Sequence, residues 1–365
     1  MKKYKNIIDR LPKSHFGSSM DKTVNLLLTG ESVCVYGVPG CGRKYFIKKA
    51  ISLLQKKDED LIILFLEGQV YPKDIKKVIR QTIKKELKIE DEYDFFQEVY
   101  KKLKTKRLVI VLGHLESVIN TQKSALRLLL KLRNLCSPNI SVLTSCDHTL
   151  LSKKENYLKT CKTLLSTQII LPPFDLKGAT TILDTNREHF GFKYPKTAYR
   201  KISILSGGNA SLIKHLGKAV DDLGERILDD KKTLINHPSV RMKLDDLADV
   251  ILKEDEEILK KLGILKGKGL FSPLLSLYFK NFELKNIDAL FPYLTSQEKK
   301  IFTFFLKNKG KLIDKDRINF LMGLTEEEFS LWAVYKAISR LKEKVKQIYE
   351  IKNLKGQGYI LKTVN

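Results

Sequence analysis

The chain has 365 residues, of which 43% are hydrophobic and 30% charged, enough for two or three domains with apolar cores. Its formal net charge of +25 favours polyanionic partners such as nucleic acid, although lysine is also an ordinary residue for solvating a surface. No apolar run reaches roughly 18 residues and the basic N-terminus lacks an apolar stretch, so neither a membrane span nor a signal peptide is predicted. Five scattered cysteines without metal-ligand spacing predict free thiols in a reducing cytoplasm.

Short apolar runs rich in β-branched residues recur through the first half, at 33–37, 61–68, 107–113, 140–146 and 167–174. Lysine-rich segments with helical periodicity lie between them. Runs of this length are typical of strands buried on both faces, and their alternation with helices predicts a parallel α/β sheet over residues 1–174. Mostly helices are predicted for 175–290, with a strand-like run at 271–279 that would suit a small winged-helix-like element. A third domain is predicted for 291–365.

A glycine-rich turn follows the first predicted strand and precedes an amphipathic helix. Phosphate-binding loops lie in this position, because glycines let backbone N–H groups approach phosphate and a helix N-terminus favours an anion. Gly37, Gly40 and Gly42 supply the glycines, but Arg43 stands where such loops carry lysine and Lys44 where they carry serine or threonine for Mg²⁺. The turn is therefore a degenerate phosphate loop that holds ATP or ADP without Mg²⁺, or no nucleotide at all. A glycine-rich turn in an unrelated α/β protein is the alternative.

The strand at 107–113 ends in Gly113 and His114, where a hydrolytic site needs an acidic residue to hold the magnesium ion. Glu116 follows, but it is offset from that position. Metal-assisted phosphoryl transfer needs the ion held in place, so we expect no Mg²⁺-dependent ATP turnover.

Residues 1–220 resemble the AAA+/STAND class of P-loop ATPases, near the origin-recognition type. Beside the glycine-rich turn, the resemblance is carried by His15, Phe16 and Gly17 before it, by Thr144 and Ser145 at the tip of a sensor-like strand, and by the turn Ser206, Gly207, Gly208 and Asn209. Ser18 replaces the usual arginine of the first element, and Ala210 and Ser211 stand where a sensor arginine would follow the turn. The resemblance implies a P-loop sheet with a helical lid. A capped strand end is an equal explanation for the sensor-like pair.

The segment from Leu294 to Leu361 predicts three helices followed by a β-hairpin. Thr295 and Glu298 form a capping-box pattern at the start of the first helix, and Asp314 can cap the second. One apolar face of the third helix carries Val334, Ile338, Leu341 and Val345. The glycines at 356 and 358 predict the hairpin turn, and Tyr359 after them is expected in the core.

This pattern resembles the OmpR/PhoB-type winged-helix domain of bacterial response regulators, in three separated stretches at 294–310, 334–344 and 356–361. The resemblance implies that the third helix enters the major groove of DNA and that the hairpin lies along the minor groove or backbone. The residues that it nominates for DNA contact are Lys336, Ser339, Arg340 and Lys342 on the helix, and Lys355 and Gln357 in the wing. Fifteen lysine and arginine residues against eight carboxylates over 294–365 favour phosphate contacts, while an ordinary solvated face is the alternative.

The leading hypothesis is a cytoplasmic DNA-binding protein, a transcriptional regulator whose ATPase-like module senses a signal, oligomerises or serves as a scaffold. Double-stranded DNA is its expected partner, a homo-oligomer remains open, and no membrane partner is expected. Two alternatives stay open. One is an active ATP-dependent switch or initiator-like DNA-binding ATPase, and the other is a protein-interaction adaptor.

Overall fold

The computed structural model describes residues 8, 11–66, 74–90, 94–116, 123–152, 164, 167–266, 269–285, 287, 291, 293–323, 330–346, 348–354 and 356–363. No helix within this part of the chain combines the length and apolar character needed to cross a membrane.

Five strands form the central sheet of the first half: β1 Val33–Tyr36, β2 Ile62–Leu66, β3 Leu108–Leu112, β4 Ile140–Cys146 and β5 Thr167–Ile170. They are parallel and lie in the order β2-β3-β4-β1-β5. Strands β1, β3 and β4 are buried along their whole length, which is why β1 and β3 are apolar throughout and β4 has only small polar residues among its apolar ones. The predicted parallel sheet is confirmed, and with its helices it fits an α/β P-loop nucleoside triphosphatase fold.

The helices of this half are α1 Ser18–Leu28, α2 Arg43–Lys57, α3 Ile75–Leu87, α4 Phe95–Lys102, α5 Lys123–Cys136 and the short α6 Thr149–Ser152, with a 3-10 turn at Lys13–Phe16. The chain leaves β1 through α2 to the edge strand β2 and returns through β3 to β4, so β1 lies between β4 and β5. Ligands of open α/β sheets bind at the carboxyl ends of the strands where the strand order reverses. The glycine-rich turn after β1 lies at that point.

The next region is helical, with α7 Leu176–Phe190, α8 Ala198–Ser206, α9 Ala210–Leu223, α10 Lys231–Asn236, α11 Pro238–Lys253, α12 Glu256–Lys261 and α13 Pro273–Lys285. A 3-10 turn spans Glu225–Leu228, and a two-stranded hairpin joins β6 Leu265–Lys266 to β7 Gly269–Leu270. We call α7, α8 and α9 the lid.

The prediction of a strand at 271–279 is wrong, because helix α13 begins at Pro273 within this segment. The hydroxyl oxygen of Ser272 accepts a 3.0 Å hydrogen bond from the N–H of Leu275, and Pro273 occupies the first helical position. Serine followed by proline is a helix-start signal. The apolar run looks like a strand because Leu274, Leu275 and Tyr278 are all buried in the core.

The C-terminal region contains α14 Ser296–Lys307, β8 Leu312–Ile313, α15 Lys315–Met322, α16 Leu331–Val345, β9 Tyr349–Leu354 and β10 Gly358–Thr363. Its three strands form an antiparallel sheet in the order β8-β10-β9. The capping box of Thr295 and Glu298 is present, and Asp314 caps α15. Buried side chains from Ile287 to Leu361, including Tyr359 and the apolar face of α16, form a core separate from the core of the preceding residues.

Candidate functional site

The glycine-rich turn leads from β1 into α2 through Gly42, whose φ of 95° lies in the left-handed region that favours glycine. No side chain caps the N-terminus of α2, and its first turn contains no acidic residue. The partial positive charge of this helix end is therefore not neutralised by a carboxylate of its own first turn. It faces a cavity of about 630 Å³. This is the arrangement of an anion site.

The lid is hydrogen-bonded directly to the turn. The side-chain nitrogen of Asn209 donates to the carbonyl of Pro39 at 2.9 Å, and the backbone N–H of Ser211 donates to the carbonyl of Gly40 at 2.9 Å. Asn209 also caps α9, since its side-chain oxygen accepts a 3.0 Å bond from the N–H of Leu212. A Cβ at Gly40 would lie 2.3 Å from the Cβ of Ser211, so only glycine allows this approach. Both bonds use loop carbonyls and spare the N–H groups that a phosphate needs.

The predicted loop residues differ in where their side chains lie. The Arg43 guanidinium donates to the backbone carbonyl of Cys146 at the end of β4, which ties the turn to the neighbouring strand. The Lys44 side chain is exposed at the rim of the cavity. Gly37 is buried at the end of β1, where an added Cβ would lie 2.3 Å from the Cys41 sulfur. Of the three glycines, Gly40 and Gly42 line the cavity and Gly37 supports the turn from behind.

The end of β3 places His114 at the cavity in a left-handed conformation with φ 52°. Its N–H donates to the Ser145 hydroxyl at 3.2 Å, and its ring Nδ1 lies 3.0 Å from Glu116 Oε1. The other oxygen of Glu116 accepts from the N–H of Asp147 at 3.3 Å. Glu116 is thus turned toward the histidine and a backbone amide, and it is not among the residues that line the cavity.

Magnesium, which P-loop triphosphatases use, does not fit these residues. None of the side chains found to line the cavity is a carboxylate, and Lys44 takes the place of the hydroxyl ligand. The described residues contain no group of three or more histidine, cysteine, aspartate or glutamate side chains able to hold a metal. Cations and hydroxyls without carboxylates suit an anion and not a divalent cation.

An aromatic wall of His15, Phe16 and Phe174 lines the cavity beside Gly42, where an added Cβ would lie 3.7 Å from Phe174 and 3.8 Å from Phe16. The rings of His15 and Phe174 are stacked with centroids 4.6 Å apart, and Phe16 meets His15 edge-on at 4.7 Å. Burial lowers the pKa of His15 to about 4, so this ring is neutral at physiological pH. A neutral, flat and apolar wall is suited to a planar ring such as a nucleobase.

Lys214 on α9 is a cavity residue that sequence reasoning missed. Its ammonium lies 4.2 Å from the centroid of the Phe190 ring, and desolvation, with a smaller contribution from Lys218, lowers its pKa. The sequence offers no arginine directly after the 206–209 turn, but helical spacing brings the residue four positions after Ala210 to the same face. That spacing is the signal that could have found it.

The sensor-like pair at the tip of β4 is divided between the cavity and the interior. Ser145 lines the cavity, whereas Thr144 is fully buried and its hydroxyl has no hydrogen-bond partner among the described residues. Only Ser145 is therefore placed to meet a ligand.

The residues nominated for DNA contact on α16 lie on its solvent face. Lys336, Ser339, Arg340 and Lys342 are all exposed, and the last two form no ion pair with any described residue. The neighbouring Lys344 is engaged internally, since its ammonium contacts both oxygens of Glu298 at 2.9 and 2.7 Å. Lys346 is paired with Glu343 at 2.7 Å. The cationic surface of the helix is thus narrower than its lysine content indicates.

The hairpin that follows α16 closes with the pair Leu354 and Gly358. Gln357 is exposed there and its backbone N–H donates to the Leu354 carbonyl at 3.0 Å, while Lys355 lies outside the described residues. Gly356 has φ 80°. Gly358 has φ 145°, and an added Cβ would lie 2.1 Å from the carbonyl oxygen of Ile313 in β8. The two glycines therefore let the hairpin turn and pack against β8.

No protein-family model and no curated protein matches the chain. Similar solved structures include the Orc2 protein of Aeropyrum pernix, in ADPNP and ADP complexes, at 14% identity and a TM-score of 0.46, covering 94% of this chain and 88% of that one. A Walker-type ATPase of Pyrococcus abyssi is similar at 10% identity and a TM-score of 0.44, covering 97% and 93%. The Cdc6p protein of Pyrobaculum aerophilum is similar at 14% identity and a TM-score of 0.42, covering 97% and 94%. These values are too low to transfer an activity or a residue role.

Proposed function

We propose that the chain is an initiator-like DNA-binding protein whose nucleotide module holds a nucleotide without a divalent cation. The observation that carries the DNA half is the exposed face of α16, where Lys336, Ser339 and Arg340 lie together with Lys342 on the flank. Three helices and an antiparallel hairpin around one core support a winged helix, in which such a helix enters the major groove. Its cations would neutralise phosphates, and Arg340 is long enough to reach a base edge.

The nucleotide half of the proposal rests on the cavity at α2. It combines an uncapped helix N-terminus, the cations Lys44 and Lys214, and the aromatic wall that includes His15 and Phe174. Phosphates would lie at the helix end and the base at the wall. The absence of a carboxylate among the described side chains that line the cavity favours binding without Mg²⁺ and without hydrolysis.

An initiator-like protein is preferred to a transcriptional regulator because a P-loop module with a lid precedes the basic domain in the same chain. The resemblance of residues 1–220 to origin-recognition ATPases favours the same reading. The described residues carry features for phosphate and DNA, and none that is specific to regulating transcription. The protein-interaction adaptor would need neither the exposed cations of α16 nor the cavity.

Duplex DNA binding by the full-length chain tests the first half. Replacing Lys336 and Arg340 together by alanine should weaken binding at least tenfold, since one good base contact is worth roughly 1–3 kcal/mol. It should also flatten the slope of log affinity against log salt by about 2. A matched control replaces Lys76 and Lys77, two exposed lysines on α3, and removes the same charge from the other module. Equal losses in both variants, or no salt-sensitive binding by the wild type, would contradict the proposal.

Calorimetry with ADP and ATP, with and without Mg²⁺, tests the second half. We expect weak binding that Mg²⁺ does not change, and phosphate release no faster than background. The Gly42→Ala variant should bind less nucleotide, because φ at this position is 95° and the helix end would shift. Tight binding that requires Mg²⁺, or ATP turnover that Gly42→Ala abolishes, would overturn this half.

A further inference from the structure

Large aromatic side chains are exposed next to the cationic face of α16. On α16, Trp332 is 68% exposed and Tyr335, three positions later, is 42% exposed, and Phe320 on α15 is 67% exposed. They are not part of the core, which α16 meets with Val334 and Ile338. Residues three positions apart are neighbours on a helix surface, and exposed apolar side chains that lie side by side mark a binding site. We call Trp332 and Tyr335 the aromatic face.

Each ring of the aromatic face has a cation close to it. The Lys336 ammonium lies 4.4 Å from the Trp332 ring centroid. On α15, the Arg317 guanidinium carbon lies 5.1 Å from the centroid of the separate Phe320 ring. Lys315 lies 5.2 Å from the centroid of Tyr335, and its ammonium donates to the Tyr335 hydroxyl at 3.0 Å. The surface therefore alternates flat rings with positive charges.

Rings interleaved with cations match the chemistry of unpaired nucleic acid. A single strand offers the faces of its bases to aromatic rings and its phosphates to neighbouring cations. A closed duplex hides those base faces in its stack and leaves only base edges in the grooves. The side chains that can hydrogen-bond to base edges, Ser339 and Arg340, lie in the later turns of α16, whereas its first turn carries Trp332. The two ends of this helix thus suit different states of DNA.

We propose that the aromatic face stacks on unpaired bases, so that the chain binds DNA with an unpaired stretch more tightly than the fully paired duplex. The inference rests on the proposed DNA binding, and it names the form of DNA that this surface selects. A protein partner is disfavoured by the charges, because three of the four cations named here lie against the rings themselves and would need acidic counterparts at each position.

The single tryptophan of the chain is itself the probe, because Trp332 is the only one among the 365 residues. The full-length protein is titrated with a thymine-rich single strand, with the same sequence as duplex, and with a duplex that contains an unpaired stretch. Stacking on Trp332 should quench its fluorescence with the first and third DNA and much less with the closed duplex. Affinity for the third should exceed affinity for the closed duplex about tenfold.

Variants separate stacking from folding and from charge. Trp332→Ala should abolish the preference for unpaired bases, whereas Trp332→Phe should retain most of it because a ring remains. The matched control is Tyr100→Ala on α4, which removes another exposed ring with a lysine near it, Lys104 at 5.4 Å, from the other module. Binding is also measured by the anisotropy of labelled DNA, which does not depend on tryptophan fluorescence and therefore compares all variants on one scale.

The outcomes distinguish this inference from the proposed function. Equal affinity for paired and unpaired DNA, or binding of the unpaired DNA that neither quenches Trp332 nor changes in Trp332→Ala, refutes the aromatic face and leaves DNA binding intact. Loss of binding to every DNA in the wild type refutes both. A preference for unpaired bases that Trp332→Ala removes and Tyr100→Ala preserves supports the inference.

Discussion

Asn209 should contribute to stability in two separable ways, as the cap of α9 and as the donor that holds the glycine-rich turn. The side chain is 2% exposed, and its nitrogen and oxygen each make one hydrogen bond, to the Pro39 carbonyl and from the Leu212 N–H. Loss of an N-cap costs about 1 kcal/mol, and loss of a partner for a largely buried carbonyl costs about 1–2 kcal/mol. Asn209→Ala should therefore lower the free energy of unfolding by about 2–3 kcal/mol.

Asn209→Ser separates the two contributions, because serine caps a helix as well as asparagine but cannot reach the turn. It should cost only about 1–2 kcal/mol. A second control is Asp230→Ala, which removes the N-cap of α10. The Asp230 side chain caps that helix and makes no contact with the glycine-rich turn. That variant should lose about 1 kcal/mol.

The assay is urea unfolding followed by far-ultraviolet circular dichroism, which reports on the helical lid, with nucleotide binding measured in parallel. Asn209→Ala and Asn209→Ser should both weaken nucleotide binding, because both release the turn, while Asp230→Ala should leave it unchanged. Equal stability of the alanine and serine variants would mean that the cap contributes nothing and that only the bond to the turn matters. Unchanged nucleotide binding in both would refute the idea that the lid holds the loop in shape.

Three further perturbations have expected outcomes. Gly358→Ala should destabilise the C-terminal sheet by at least about 2 kcal/mol in chemical denaturation, because its φ is 145° and a Cβ would collide with the backbone of β8; a neutral result would contradict the close approach. Lys344→Ala should cost about 1–3 kcal/mol, since it leaves the Glu298 carboxylate, whose side chain is 7% exposed, without its cation, and the Lys346→Ala control should cost almost nothing. Burial lowers the pKa of both His15 and His215 in the folded chain from 6.5 to about 4, so the unfolded chain takes up protons at higher pH than the folded chain. The free energy of unfolding should therefore be highest above about pH 6.5 and fall toward pH 4. For His15 alone the loss at pH 5 should be about 2 kcal/mol. The unfolding free energy of His15→Phe should fall less over that range, and an identical pH profile would refute the assignment.

The sequence predicted those parts of the fold in which buried and capping residues form a pattern among near neighbours in the chain. Strands β1 and β3 are covered on both faces, so their apolar runs are unbroken and easy to locate. The caps at Thr295 and Asp314 were predictable because capping joins residues three positions apart. Helix α13 was missed because the partly buried Leu277 is also apolar, and the continuous run hides the helical spacing of its buried neighbours.

The candidate site was predicted less completely, because its contacts join distant parts of the chain. The bond from Asn209 to Pro39 spans 170 positions, and that from Arg43 to Cys146 spans 103. Motif spacing identifies Arg43 as the residue in the lysine position, but it cannot show that the guanidinium meets a carbonyl of β4. Helical spacing puts Lys214 on the same face of α9 as Ala210, but the lysine reaches the cavity only because the lid packs over the turn. The contacts themselves depend on tertiary packing.

The two hydrogen bonds between the lid and the glycine-rich turn also bear on how fast a ligand can bind. A loop that is already ordered loses little conformational entropy when it closes around an anion, so association would not wait for a slow rearrangement. The same rigidity means that arrival of a ligand changes the shape of the turn very little. Ligand binding in the cavity could therefore affect the C-terminal domain through a rigid-body movement of the lid, but not through ordering of the loop.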